Sequence, residues 1–286
     1  RRLASEDSLM AYPTPPPNLK SLEQRIRNLE PDDGLALQRQ TTMAMVVVSQ
    51  MLPEGAIKGG LAMALRYGRA ESRFTRDVDA ARIKPIDEFR DDFEAALRVG
   101  WGGFAGRLVE RKAPRPSGVS SAYVMRPFDV KLDYRSRPWR TVSFELGHNE
   151  IDDADGAELR LAPDLVELFT EVGLPVPRAV PVMRADHQIA QKLHAATTPS
   201  SDRARDLVDL QLLEKGERLD LAQVRLTCER LFNYRKQQSW PPTIVPDVEW
   251  DALYAAAAFD LTVLADVDSA VGWGNDFISR IAMSAT

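Results

Sequence analysis

Residues 57–79 read IKGGLAMALRYGRAESRFTRDVD, and this stretch predicts how the chain folds around a site. An apolar run ends at Gly59 and Gly60, a helical pattern follows, and strand character returns with Asp77 and Asp79. Because side chains two apart in a strand face the same side, the aspartates place two carboxylates on one face. Oxygen ligands at this spacing suit Mg²⁺.

The two glycines lie at the expected turn between strand and helix. Glycine lets the backbone approach a ligand closely, and the N-terminus of the following helix offers free N–H groups to phosphate. Together with the aspartates, this order predicts a nucleotide held by its triphosphate and in-line phosphoryl transfer assisted by metal ions. Asp-x-Asp and Gly-Gly each occur by chance in many proteins, so the prediction depends on their order and on the rest of the chain.

The composition is that of an ordinary soluble globular protein. The 286 residues are 44% hydrophobic and 28% charged, and no run of about 18 apolar residues predicts a membrane span. One cysteine, Cys228, excludes an intramolecular disulfide, and no signal-peptide pattern is visible. We therefore expect a cytoplasmic protein with no membrane partner.

The pattern of strands and helices predicts an α+β fold with two lobes. Residues 1–20 are rich in proline and are expected to form a flexible arm, with Ser21 as the cap of the first helix. Residues 21–165 mix helical and alternating patterns, which predicts a catalytic lobe with a mixed sheet. Helical periods dominate residues 166–286, which we expect to form a helical lobe that completes the site.

Two stretches together resemble a known family. Residues 57–79 and the later HQIAQKLHAATTPSSDRARDLVDLQLL, residues 187–213, are similar to the AbiEii/AbiGii-type nucleotidyltransferase toxins, in particular the MenT toxins of mycobacteria. That family belongs to the DNA polymerase beta-like nucleotidyltransferase superfamily, so the resemblance implies a mixed-sheet catalytic lobe beside a helical lobe. It also implies an NTP-dependent enzyme that uses Mg²⁺, with Mn²⁺ as an alternative, and that modifies the 3′ acceptor end of tRNA and blocks translation. A cognate antitoxin would be a further partner.

The resemblance assigns roles to individual residues. It puts metal-binding and catalytic carboxylates at Asp77 and Asp79, and further catalytic groups at Lys192 and Asp209 of the helical lobe. The broader superfamily often has Gly-Ser where this chain has Gly-Gly, so a hydroxyl just before the aspartates is expected to replace the missing one. The residues expected to bind the nucleotide are Lys58, Gly59, Gly60, Thr75 and Lys192.

A third metal-binding acid is expected on a neighbouring strand. Glu145 lies between Phe144 and Leu146, so its side chain points away from these two core-facing neighbours. Asp133 in VKLDY has the same property. We favour Glu145, which matches the position of the family's later acid, and keep Asp133 as the alternative. Either acid could instead face solvent and pair with an arginine.

Basic residues cluster in one part of the chain despite a net charge of −5. Residues 107–140 contain nine Lys or Arg against three Asp or Glu, with Tyr134 and Trp139 among them. Such a stretch suits the binding of RNA phosphates and stacking on an unpaired 3′ end. It equally suits an exposed sheet edge, where charged side chains prevent pairing with another chain. The candidate RNA-binding residues are Arg66 and Arg76 near the metal site and Arg135, Arg137 and Arg140 in the basic stretch.

The residues leave two other functions open. The same fold could transfer a nucleotide to a small molecule or a protein, in which case the basic stretch has no evident task. The chain could also be a non-catalytic regulatory binding module. An inactive relative would most simply have lost its acids, whereas both paired aspartates are present here.

Overall fold

The computed structural model describes residues 12–113 and 124–285. Strands and helices alternate in the first part of the chain and helices alone follow, which confirms the α+β class. The first part contains α1 (Leu19–Leu29), α2 (Asp33–Gln50), β1 (Gly55–Lys58), α3 (Gly59–Tyr67), β2 (Asp77–Arg82), α4 (Ile86–Val99), β3 (Phe104–Glu110), β4 (Arg126–Tyr134), β5 (Arg137–Gly147), β6 (Glu158–Arg160), α5 (Pro163–Thr170) and β7 (Val180–Val182). The second part contains α6 (Ala185–Ala196), α7 (Arg205–Gly216), α8 (Leu221–Arg235), α9 (Trp250–Ala258) and α10 (Val267–Met283).

A seven-stranded sheet carries the candidate site, and its strand order is β3-β4-β5-β2-β1-β7-β6. Strand β1 pairs antiparallel with β2, and β2 pairs parallel with β5, so these three strands lie side by side in the middle of the sheet. Strand β7 pairs parallel with the other edge of β1. The stretch 57–79 therefore contributes to two adjacent central strands and provides the helix between them.

One face of the sheet is covered by helices. Val78 of β2 and Phe144 of β5 are fully buried in a core that includes residues of α2 and α4. The Phe144 ring contacts those of Phe89 and Phe93 in α4. Because side chains alternate along a strand, the residues next to these face the opposite side of the sheet. That opposite side carries the polar residues of the candidate site.

The helical lobe has a core of its own, which includes Leu193 of α6 and Leu210 of α7. Met63 of α3 joins this second core, whereas Leu61 and Leu65 of the same helix pack in the core of the sheet. Helix α3, which begins at the glycine turn, therefore contributes to both cores and links the two lobes. Among the described helices, none has both the length and the apolar character needed to cross a membrane.

The two cores divide the chain later than the expected boundary at residue 165. Helix α5 packs in the first core through Leu168 and Phe169, and Val182 of β7 also lies there. Ala185, at the start of α6, lies in the second core. The division therefore falls between residues 182 and 185. Helical periodicity begins before this point, but α5 covers the catalytic lobe and does not belong to the helical lobe.

The proline-rich arm is not free over its described part. Thr14 accepts a hydrogen bond through its carbonyl oxygen from Arg25 at 2.6 Å, and the carbonyl of Pro16 accepts one from the Tyr134 hydroxyl at 2.7 Å. Asn18, not Ser21, caps α1, because its side chain accepts from the Ser21 amide. The expectation of a flexible arm over residues 1–20 is wrong for residues 12–18, and residues 1–11 lie outside the described part.

Candidate active site

The turn between β1 and α3 brings the backbone against the carboxylate of Asp79. Gly59 has a φ of +66°, a left-handed conformation that favours glycine, and a Cβ at this position would overlap the Asp79 carboxylate. A Cβ at Gly60 would lie 2.9 Å from the Thr75 side chain. Both glycines are therefore required by close approach. The N-terminus of α3 follows at once, and the N–H groups of its first turn have no partner within the helix.

Three predicted site residues lie in one row across the sheet. Lys58 of β1 pairs with Asp79 of β2, and Asp79 pairs with Glu145 of β5. Neighbouring strands are about 4.8 Å apart, so the three side chains stand next to one another on the same face. Asp77 lies two residues before Asp79 on that face, opposite Ser143. The structure thus brings the favoured third acid beside the paired aspartates.

Asp133, the alternative third acid, lies elsewhere. It pairs with Pro138 near the turn between β4 and β5, whereas Glu145 pairs with Pro127 at the other end of β4. At a rise of about 3.3 Å per residue, the two acids are separated by about 20 Å along the strands. Strand alternation could not distinguish them, because it reports the face of a residue and not its position along the strand.

Thr75 acts on Asp77. Its hydroxyl donates a hydrogen bond to Asp77 Oδ1 at 2.7 Å, and its side chain is buried against Gly60. The sequence led us to expect this hydroxyl to contact phosphate. In the structure this hydroxyl donates to Asp77 instead and holds that carboxylate in place.

The carboxylates repel one another in the absence of a cation. Burial, followed by the neighbouring Asp77 carboxylate, raises the pKa of Asp79 to about 6; Lys58 opposes this rise and Glu145 adds to it. A divalent cation would relieve this repulsion, and the all-oxygen donor set suits Mg²⁺ or Mn²⁺.

The site is not a closed metal cage. Within residues 12–113 and 124–285, no group of three or more His, Cys, Asp or Glu side chains is arranged to hold a metal ion. Mg²⁺ at nucleotide sites is typically held by one or two carboxylates together with substrate phosphates and water. Asp77 and Asp79, with Glu145 beside them, fit this second kind of site.

Across from the sheet, the helical lobe carries a buried network of charges. Lys192 Nζ donates to Asp206 Oδ1 at 3.2 Å and to Asp209 Oδ2 at 2.5 Å. Arg73, from the loop before β2, donates two hydrogen bonds of 3.0 Å to Asp209. Arg203, just before α7, donates through Nε to Asp206 Oδ2 at 2.7 Å. Both aspartates are fully buried, and three cations therefore share two carboxylates.

The sequence placed Lys192 and Asp209 together in the helical lobe, but it did not indicate Arg73 and Arg203 as partners of the buried aspartates. The structure pairs Arg203 with Asp206 and Arg73 with Asp209. Arg73 lies 136 residues before Asp209 in the chain, and a separation of this size leaves no local signal.

The two lobes enclose an open cleft of about 990 Å³. Lys58, Gly59, Asp79 and Glu145 line it from the sheet, so the row of site residues faces the cavity. The charged residues that line it include five cations, Lys58, Lys192, Arg203, Arg235 and Lys236, and three carboxylates, Asp79, Glu145 and Glu150. The excess of positive charge contrasts with the net charge of −5 for the whole chain. The cleft therefore favours a polyanionic ligand.

The candidate RNA-binding arginines occupy three different environments. The side chain of Arg66 is buried and donates to Glu158, Glu217 and the Met183 carbonyl, so it does not belong to a surface that could bind RNA. Arg76 is exposed directly before Asp77 at the edge of the site. Arg135 and Arg137 are exposed, and Arg140 is partly exposed, at the far end of β5. At about 3.3 Å per residue, Arg137 lies about 26 Å from Glu145 along the strand.

The arrangement of these residues is typical of a nucleotidyltransferase. A glycine turn at a helix N-terminus faces a carboxylate pair and a third acid on adjacent strands, and a helical lobe supplies cations across the cleft.

Comparison with known families agrees with this class. The family described as the nucleotidyl transferase AbiEii toxin of a type IV toxin–antitoxin system matches residues 46–272. The match covers most of the chain, so the chain belongs to the AbiEii nucleotidyltransferase toxin family, which confirms the resemblance found in the sequence.

A solved structure with a TM-score above 0.5 supports the fold. The nucleotidyltransferase toxin MenT4 from Mycobacterium tuberculosis aligns with a TM-score of 0.54 at 17% identity, over 93% of this chain and 89% of that chain. At this identity the likeness shows the fold alone. JHP933 from Helicobacter pylori aligns with a TM-score of 0.43 at 18% identity, over 87% of this chain and 92% of that one. Comparison with curated protein sequences gives no significant match.

Proposed function

We propose that this chain is the toxin of a toxin–antitoxin pair that transfers a nucleoside monophosphate from an NTP to the 3′ acceptor end of tRNA and so blocks translation. The reaction uses Mg²⁺ or Mn²⁺. The observation that supports the proposal is the row of Lys58, Asp79 and Glu145 beside Gly59, in which a cation suited to phosphate and two carboxylates suited to a metal ion lie on three adjacent strands. The acceptor is inferred from the sequence resemblance to the MenT toxins and from the cationic cleft.

The order of the strands orients the two substrates. The triphosphate lies at the β1 end of the row, where Lys58 and the first N–H groups of α3 offer positive charge. Glu145 lies on the other side of Asp79, so the acceptor hydroxyl approaches from the β5 side. The reacting phosphorus then lies near Asp79, between the two ends.

The transfer proceeds as an in-line displacement. The acceptor 3′ oxygen forms a bond to the α-phosphorus, the bond from the α-phosphorus to the bridging oxygen breaks, and pyrophosphate leaves with the electron pair. Glu145, on the acceptor side, takes the proton of the 3′ hydroxyl. When bound, the divalent ion neutralises negative charge on the attacking and leaving oxygens. Asp77 is kept in position for the ion by the hydroxyl of Thr75.

Membership of a toxin–antitoxin family implies an antitoxin partner. A toxin that acts on tRNA works where translation takes place, so we place the protein in the cytoplasm. Its surface for the body of the tRNA is proposed to include Arg76 at the edge of the site and the arginines of the β4–β5 turn, which are at least partly exposed.

Incubation of the purified protein with total tRNA, Mg²⁺ and each α-labelled NTP tests the function. We expect label in tRNA with at least one NTP, and no label after excess EDTA. As a matched control, tRNA whose terminal ribose has been oxidised with periodate lacks the 3′ hydroxyl and should accept nothing. If label appears only in a small molecule or in protein, that molecule and not tRNA is the acceptor. No transfer to any acceptor would favour the non-catalytic binding module.

A further inference from the structure

The helical lobe offers more than one cation to the cleft, and these cations differ in what already binds them. We propose that Arg203, and not Lys192, is the residue of the helical lobe that contacts the phosphates of the bound nucleotide. In this arrangement Arg203 is held in place by a buried group of charged side chains, which consists of Lys192, Asp206 and Asp209. The inference rests on the proposed function, because it assigns the cation that the same nucleotide would meet.

The ammonium group of Lys192 is already bound by carboxylates of the protein. Its ammonium group contacts the carboxylates of Asp206 and Asp209, and its side chain is only 6% exposed. An ammonium group has three donors, so these two contacts leave little capacity for a phosphate. Moving it would leave two fully buried carboxylates without this cation, which is strongly destabilising.

Arg203 is anchored but still exposed to the cleft. Nε donates to Asp206, whose carboxylate is fully buried, and this contact fixes one edge of the guanidinium group. The side chain of Arg203 is 36% exposed, compared with 14% for Arg73 in the same network. Arg203 also lines the cleft together with Asp79 and Glu145. It is thus the most exposed cation of the network and faces the row of site residues.

The electrostatics of the two lobes agree with this placement. Asp206 is the largest influence on the pKa of Arg203 and raises it; burial opposes the rise, and the Asp79 carboxylate across the cleft adds to it. Arg203 in turn lowers the pKa of Asp79. The two residues therefore lie close enough to interact across the space where the phosphates would be.

The chemistry of the guanidinium group suits this role. Five N–H donors in a planar fork match the oxygens of a phosphate, and one anchored edge leaves the other available for a two-point contact. The network contains three cations and two carboxylates, so it retains one positive charge to offer a ligand. A cation held in place before the reaction stabilises charge that develops on the leaving pyrophosphate.

The test compares Arg203→Met with Arg205→Met, which makes the same change two residues later. The first measurement is the affinity for a non-hydrolysable NTP analogue and for the matching NMP, with Mg²⁺ present. We expect Arg203→Met to weaken NTP binding at least tenfold while NMP binding changes little, and Arg203→Lys to show an intermediate loss. Arg205→Met should bind both nucleotides like the wild type. Transfer by Arg203→Met should fall about 10²- to 10³-fold, as for other preorganised electrostatic groups.

Equal losses for NTP and NMP would mean that Arg203 has only a structural role, and wild-type affinity in Arg203→Met would exclude the contact. If Arg203→Met does not fold, Arg203→Lys decides by the same NTP-to-NMP comparison. Failure of the proposed function is distinguishable, because the wild type itself would then bind no NTP or transfer no nucleotide.

Discussion

Replacing Asp209 by asparagine is expected to destabilise the protein strongly, because Asp209 pairs with one cation from each lobe. The carboxylate is fully buried and accepts hydrogen bonds from Lys192 at 2.5 Å and from Arg73 at 3.0 Å. An amide of the same shape keeps one acceptor oxygen but cannot neutralise two cations. Removing one partner of a buried ion pair typically costs about 3–5 kcal/mol.

A loss of this size is measurable by urea unfolding. With a slope of about 1–3 kcal/mol per molar urea, a loss of about 3 kcal/mol moves the midpoint down by about 1–3 M. Asp276→Asn is the matched control. Asp276 is 66% exposed and pairs with Arg280, and an exposed pair of this kind contributes about 0–1 kcal/mol.

The double variant Asp209→Asn/Arg73→Met tests the cause. Removing Arg73 together with the carboxylate restores the charge difference of the network to one, since two cations and one carboxylate remain. The double variant should therefore be more stable than the sum of the two single losses predicts, by about 0.5–3 kcal/mol. Strict additivity, or a midpoint for Asp209→Asn equal to that of the surface control, would show that Asp209 does not stabilise the fold by neutralising these cations.

Three further outcomes are expected. Gly59→Ala should greatly reduce transfer, because a Cβ there overlaps Asp79 and the φ of +66° disfavours alanine, whereas Gly272→Ala, where a Cβ meets nothing within 4 Å, should retain it. The pKa of Asp79 is raised to about 6, and the carboxyl must lose its proton to bind a cation, so Mg²⁺ binding measured by calorimetry should weaken below pH 6. Binding should release most of one proton at pH 5.5. It should release none at pH 8 or in Asp79→Asn. Reversing the charge of Arg137 and Arg140 should weaken tRNA binding and lower the slope of log K against log salt by about 0.7–0.9 for each RNA phosphate that the protein no longer binds; an unchanged slope would place the RNA surface elsewhere.

The local part of the site could be predicted from the sequence. The turn at Gly59 and the acids at Asp77 and Asp79 lie within one strand–helix–strand unit, so their relation follows from short-range rules of strand alternation and helix N-termini. Glu145 required one more step, because its face follows from alternation, whereas its register opposite Asp79 depends on pairing between distant strands. The family resemblance supplied that step.

The contacts between the lobes could not be predicted in the same way. Arg66 and Arg73 both lie between the glycine turn and β2, yet Arg66 pairs with Glu158 and Glu217 whereas Arg73 pairs with Asp209. Nothing in the local sequence separates them, because their partners lie from 92 to 151 residues away. The docking of Pro16 on Tyr134 has the same character. Proline content indicates that the arm is not helical, but the tertiary contacts determine where it lies.

The acids on β2 and β5 are proposed to form the site of nucleotide transfer. The most direct measurement compares the transfer of label from an α-labelled NTP to tRNA by the wild type, Asp79→Asn and Asp133→Asn. Asp133 is the control because it also lies on the sheet but far from the row of site residues. We predict that Asp79→Asn loses transfer at least about 10²-fold, the loss typical when an electrostatic group of the site is removed, while Asp133→Asn transfers like the wild type. Wild-type transfer by Asp79→Asn, or an equal loss in both variants, would show that transfer does not depend specifically on the acids of β2 and β5.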